Sequence, residues 1–147
     1  MKVVLDANVL VSGFSKPGTP SEIIDQWAAG AFELILSEHI MDGVRRAWSK
    51  PYFRRFFTEA ESKSIIDGIV ESATMRNPVD VVHGVAEDRE DDLVLATAIT
   101  ARADVLVTGD RLLREIDRYE VVRILTPREF LDLLDQEWEG GRVSSSP

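Results

Sequence analysis

Apolar residues along this chain fall into short unbroken runs, separated by longer stretches in which they recur at helical spacing. The runs are Val3-Val4-Leu5, Phe32-Glu33-Leu34-Ile35-Leu36, Val79-Asp80-Val81-Val82, Val105-Leu106-Val107-Thr108 and Val121-Val122-Arg123-Ile124-Leu125. Runs this short and this apolar read as strands buried on both faces. Between them lies a helix from Thr19 to Gly30, with Ile23, Ile24, Trp27 and Ala28 on one side. A second runs from Ser37 to about Trp48, and a third, over residues 58–73, buries Ile65, Ile66, Ile69 and Val70. The stretch from Asp91 to Arg102 is apolar on nearly every side, which predicts a helix buried between layers. A short helix begins near Asp110, and the last begins at Thr126. Thr19–Glu22, Thr58–Glu61 and Thr126–Glu129 each have the spacing of a capping box. Ser12 to Gly18 reads as a loop by its turn residues, and Lys50-Pro51 and Asn77-Pro78 punctuate.

Strands alternating with helices predict an α/β fold, a mostly parallel sheet covered on both faces. The helices at 38–48 and 58–73 come without a strand between them and form a helical arm. No internal repeat or long linker divides the chain. Residues 1–138 therefore make one domain, and 139–147, with Gly140 and Ser144-Ser145-Ser146, read as a disordered tail.

Composition narrows the chemistry. There is no cysteine, which removes disulfides and thiolate metal sites and suits a reducing cytoplasm. No apolar stretch approaches the roughly 20 residues of a membrane span, and the N-terminus lacks a signal-peptide pattern. A cytoplasmic protein without membrane contact is expected. The net charge of −9 argues against broad binding of nucleic acid by a basic surface. It leaves a nuclease open, because carboxylates that hold a cation are counted in that charge.

The acids stand in suggestive places. Asp6 ends the first strand, Asp91 and Asp92 open the buried helix, and Asp110 lies just past the strand at 105–108. Ligands of open parallel sheets bind at the carboxyl ends of strands. Carboxylates gathered there cannot all stay ionised without a positive partner. Mg²⁺ or Mn²⁺ would serve, since both take oxygen ligands and bridge carboxylates to phosphates. With no cysteine, and with His39 and His83 lacking any triad context, metal-assisted phosphodiester hydrolysis suits these residues best. The plainer alternative makes Asp110 a helix N-cap and places Asp91 or Asp92 in a first turn for the helix dipole. An acid ending an apolar strand, like Asp6, is harder to explain without a partner. The two histidines read as ordinary surface or capping residues.

Three segments taken in order resemble the PIN-domain ribonucleases, a family that includes toxins of toxin–antitoxin pairs. They are Leu5-Asp6-Ala7-Asn8-Val9-Leu10, Asp88-Arg89-Glu90-Asp91-Asp92-Leu93-Val94-Leu95-Ala96, and Ala103-Asp104-Val105-Leu106-Val107-Thr108-Gly109-Asp110. The resemblance covers about residues 1–135. It implies a three-layer α/β/α fold with Mg²⁺ or Mn²⁺ at the carboxyl ends of the strands and cleavage of single-stranded RNA. It also implies a homodimer and a small antitoxin partner. Asp6 and Asp110 match the first and last metal-site acids, and Asn8 and Thr108 match supporting polar positions. The third acid is Asp91 or Asp92, with Asp91 favoured.

One departure stands out. The family carries an acid on the helix after the second strand, at the position held here by Gly43. Its neighbour Asp42 is a candidate replacement, although helical geometry points it nearly opposite the buried face of Ile40, Val44, Ala47 and Trp48, with position 43 on the flank. Otherwise the site works with three acids. Arg45, Arg46, Lys50, Arg54 and Arg55, interleaved with Tyr52, Phe53, Phe56 and Phe57, form a basic–aromatic cluster. Such a cluster suits an RNA-facing patch, or equally an arm packing its aromatics inward or a protein-docking surface. A metal-dependent endoribonuclease is the leading expectation, and a catalytically weak RNA- or protein-binding module is the alternative.

Overall fold

The computed structural model describes residues 1–79, 82, 85 and 89–144. The strands are β1 (Lys2–Leu5), β2 (Glu33–Leu36), β3 (Thr74–Met75), β4 (Val105–Val107), β5 (Arg118–Tyr119) and β6 (Val122–Leu125). The helices are α1 (Ala7–Ser15), α2 (Thr19–Ala28), α3 (Glu38–Trp48), α4 (Pro51–Arg54), α5 (Glu59–Ser72), α6 (Arg89–Thr100), α7 (Arg111–Ile116) and α8 (Pro127–Ser144). Among the described residues the strands form one sheet in the order β3-β2-β1-β4-β6-β5. Every ladder is parallel except the closing β5–β6 hairpin. This is the mixed α/β fold with a mostly parallel central sheet that the alternation predicts.

β1 lies at the centre, with Val3, Val4 and Leu5 fully buried between β2 and β4. Because β2, β1 and β4 are parallel neighbours, the residues that follow them emerge along one edge of the sheet. Those residues are Ser37, Asp6 and Thr108. The sheet thus gathers positions about thirty and a hundred residues apart in sequence.

Several local expectations change. Residues Ser12 to Ser15, expected as loop, continue α1. Gly13 serves contact rather than turning, since a Cβ there would stand 2.6 Å from the Ile24 side chain on α2. The cap of α2 is Gly18, not Thr19, and no side chain bonds its first turn. The Thr19 hydroxyl instead accepts a hydrogen bond from Arg128 of α8 at 3.1 Å. The other two boxes form as expected. Thr58 and Glu61 exchange bonds of 3.1 Å, and Thr126 and Glu129 exchange bonds of 2.9 and 3.0 Å.

Pro51 does not merely stop α3 but opens the single turn of α4, where a missing amide is harmless. The sheet edge is β3, whose Met75 pairs with Leu36. Val79 and Val82, expected in a strand, lie outside any, while Asp80 and Val81 of that segment are outside the described residues, as is His83. α8 runs to Ser144, past Gly140, where the composition predicts a disordered tail. A glycine inside a helix costs about 1 kcal/mol relative to alanine, which weakens a helix without forbidding it.

Candidate active site

Asp6 leaves β1 and at once caps α1. Its backbone N–H extends the ladder to the Val107 carbonyl at 3.0 Å. Its carboxylate then accepts from the Ala7 N–H at 2.7 Å and from the Thr108 hydroxyl at 2.8 Å. Thr108 is fully buried at the end of β4, and its oxygen also accepts from the Asp110 N–H at 3.0 Å. One hydroxyl therefore ties together two acids that are far apart in sequence. Asp110 in turn caps α7, accepting from the Leu112 and Leu113 amides at 2.8 and 3.2 Å. The plain reading of Asp110 as an N-cap is realised, and the same carboxylate lines the cleft described next.

That cleft, of about 540 Å³, opens at the carboxyl ends of β1 and β4. Asp6, Asn8 and Asp110 line it from the sheet side, and Glu90 and Asp91 from α6. From α3 come His39, Gly43 and Arg46, with Lys50 just beyond. The two acids at the start of α6 separate clearly: Asp91 is half-buried on the cleft wall, whereas Asp92 is buried and is not among the cleft-lining residues.

α3 turns Gly43, not Asp42, toward the cleft. Asp42 is 62% exposed and pairs with Arg45 at 2.8 Å, outside the cleft lining. A Cβ at position 43 would stand 3.0 Å from the Ala7 Cβ, so the bare glycine lets α3 approach α1 directly behind Asp6. The basic cluster also divides. Arg46 and Lys50 enter the cleft, while Arg45 and Arg54 line a separate groove with Trp48 and Asp67. Arg55 stacks on Tyr52 and Phe56, 5.8 and 5.9 Å from the ring centres. Phe57 packs inward against the buried Trp48.

His39, which the sequence reads as an ordinary surface or capping residue, lines the cleft. It begins α3 beside the Ser37 cap and faces the cleft from the same side as Gly43, one turn later. Residues four apart on a helix share a face, so Gly43 was the signal that could have located it. Glu90 is the other ionisable cleft residue to which the sequence gives no role.

Burial pushes the Asp6 carboxyl above its ordinary value, and the neighbouring charge of Asp110 pushes the same way. The hydrogen bonds from Thr108 and Ala7 and the proximity of His39 pull it back without offsetting the burial. An ionised pair held under such opposition suits a divalent cation, whose charge would relieve both causes. Among the described residues no group of three or more acids or histidines forms a ready-made metal cage. The donors fit the other mode, in which one or two carboxylates hold a hard cation and waters or substrate phosphates complete its shell.

Comparison with curated proteins finds no match. A family model described as PIN domain matches residues 2–112. The matched span takes in β1, β4, α6 and every acid of the cleft. PIN domains are generally nucleases and usually use divalent metal ions. With about three quarters of its length matched, and Asp6, Asp91 and Asp110 lining one cleft at the sheet's carboxyl edge, this chain belongs to the PIN-domain family.

Proposed function

We propose that the chain is a metal-dependent endoribonuclease that cleaves single-stranded RNA with Mg²⁺ or Mn²⁺. The observation that carries this reading is the meeting of Asp6, Asp91 and Asp110 with Arg46 and Lys50 in one open cleft. Acids there hold a cation, and the basic groups take phosphates. Asp6 and Asp110 would be the principal ligands, with Asp91 facing them from α6. When bound, the metal would lower the pKa of a water and offset charge on the phosphodiester. Thr108 keeps the Asp6 carboxylate oriented through its buried hydroxyl. Asn8, exposed at the first turn of α1, offers an amide to the sugar or base beside the scissile bond.

The test is cleavage of a mixed single-stranded RNA pool with Mn²⁺. Wild type should cut, Asp6→Asn and Asp91→Asn should lose most or all turnover, and Asp42→Ala should keep it. Full metal-dependent cleavage by Asp6→Asn would sink the reading. In the toxin role, expression without a small antitoxin partner should arrest growth, and Asp6→Asn should relieve the arrest.

One observation favours a second reading, a binding module without turnover. Gly43 stands where the family resemblance expects an acid, and no three-group cage exists among the described residues. That reading predicts no cleavage by wild type and RNA binding that survives Asp6→Asn.

A further inference from the structure

Gly43 leaves a bare patch on the cleft face of α3, and a cation covers it. Arg46, one turn further on, folds back so that its Nη2 lies 3.8 Å from where a Cβ at 43 would be. A positive group therefore stands inside the wall that also carries Asp6, Asp91 and Asp110. The same guanidinium is engaged across the cleft, 3.5 Å from the Glu90 carboxylate of α6. Both side chains are more than half exposed, at 62% and 57%. Exposed, screened pairs of this kind contribute little, so a better anion readily displaces the partner. A phosphodiester is that better anion, because its oxygens match the planar guanidinium fork in charge-assisted bonds.

We propose that Arg46 grips a backbone phosphate of the RNA strand in the cleft, and that Glu90 is a built-in competitor for the same guanidinium. The pair spans the cleft between α3 and α6, so an empty cleft is bridged by Arg46–Glu90. An occupied one has Arg46 on phosphate in place of Glu90. Lys50, past the end of α3 at the cap of α4, lines the same cleft and continues the positive track along the strand. This rests on the nuclease reading only for the identity of the ligand as RNA.

The experiment measures binding of a labelled single-stranded RNA oligonucleotide to the full chain in chelator, where no cleavage occurs, across a salt series. Arg46→Gln should weaken binding about tenfold or more and lower the slope of log affinity against log salt by roughly one unit. Glu90→Gln should tighten binding about twofold to fivefold, and this gain should vanish when combined with Arg46→Gln. Arg45→Gln, in the neighbouring groove, should change little. Arg46→Lys keeps the charge but not the fork and should fall between wild type and Arg46→Gln. The proposal is overturned if Arg46→Gln binds as wild type does, or if Glu90→Gln weakens binding. Wild type that binds in chelator yet fails to cleave once Mn²⁺ is supplied would remove the nuclease reading and leave this one standing. Cleavage in Mn²⁺ with Arg46 variants unaffected in binding would do the reverse. A wild type that binds no RNA in chelator would overturn this proposal, and one that also fails to cleave in Mn²⁺ would remove both.

Discussion

Asp6 carries a burden that its hydrogen bonds do not remove. Its carboxylate is held by Ala7 and Thr108, yet burial and Asp110 still raise its pKa above the ordinary 3.8. An acid whose folded pKa is raised contributes stability that is present below the unfolded value and lost as pH climbs through the folded one. Asparagine at this position would escape that loss. Its carbonyl oxygen can keep the Ala7 bond, and its amide can donate to the second lone pair of the Thr108 hydroxyl, while losing the bond that hydroxyl now donates to Asp6. Metal-free Asp6→Asn should therefore melt a few degrees above wild type at pH 7. The gain should shrink as pH falls through the raised pKa of Asp6 and wild type regains its proton. Thermal melts in chelator across that range decide it. A wild type more stable than Asp6→Asn at pH 7 would mean that the bonds to the ionised carboxylate outweigh its burial. Activity bought at the expense of local stability is common in functional sites. The neighbouring question of Asp91 against Asp92 could not be closed from sequence, because adjacent helix positions differ by about 100° and nothing local fixes which way the helix faces. The sheet edge and α3 fix it, placing Asp91 on the cleft wall.

Two glycines illustrate which helices could be read from sequence and which could not. Gly13 reads as a turn residue beside Ser12 and Pro17, and that reading hides α1. It is a helix residue kept bare by the Ile24 side chain at 2.6 Å and the Pro20 carbonyl at 3.0 Å from its virtual Cβ. That pressure comes from α2 and has no local signature. Helices with their own start signals were legible: Thr58–Glu61 and Thr126–Glu129 form both reciprocal bonds, and Ser37 caps α3 with a 3.3 Å bond. Thr19–Glu22 carries the same spacing and fails, because α2 starts one residue earlier, with Gly18 as its cap and Thr19 already inside the helix. A Cβ added at Gly13 meets backbone as well as a side chain, so Gly13→Ala should destabilise by about 1–3 kcal/mol in urea unfolding. Gly43→Ala differs, since its Cβ would press only on the Ala7 side chain at 3.0 Å. The helical gain of about 1 kcal/mol over glycine should roughly offset that contact and leave stability within about 1 kcal/mol of wild type. Ala7 adjoins Asp6, however, so RNA cleavage should fall severalfold while the fold persists. Equal losses of stability at both positions would show that α3 and α1 are as tightly locked as α1 and α2.

Taken together, the elements build a molecule of net charge −9 whose functional cleft adds to its own electrostatic load. Strand order was the part least visible in the sequence. The chain could announce buried strands, but not that β1 would lie between β2 and β4 and bring Asp6 beside Thr108. That adjacency couples the site to global stability. A cation bound only by the native cleft stabilises the fold by mass action, about 2.7 kcal/mol when free metal is a hundred times its dissociation constant. For a domain of this size each kcal/mol shifts the melting temperature by roughly 2–4 °C. Saturating Mn²⁺ should then raise the wild-type midpoint by about 5–10 °C, and chelator should return it. Sodium chloride at equal ionic strength should produce only the smaller shift that screening of a negative surface gives. Asp6→Asn should start higher in chelator and respond little to Mn²⁺, so that the two proteins converge or cross as metal is added. An equal response in both would place the cation elsewhere on the acidic surface and leave the Asp6 carboxylate without its proposed partner.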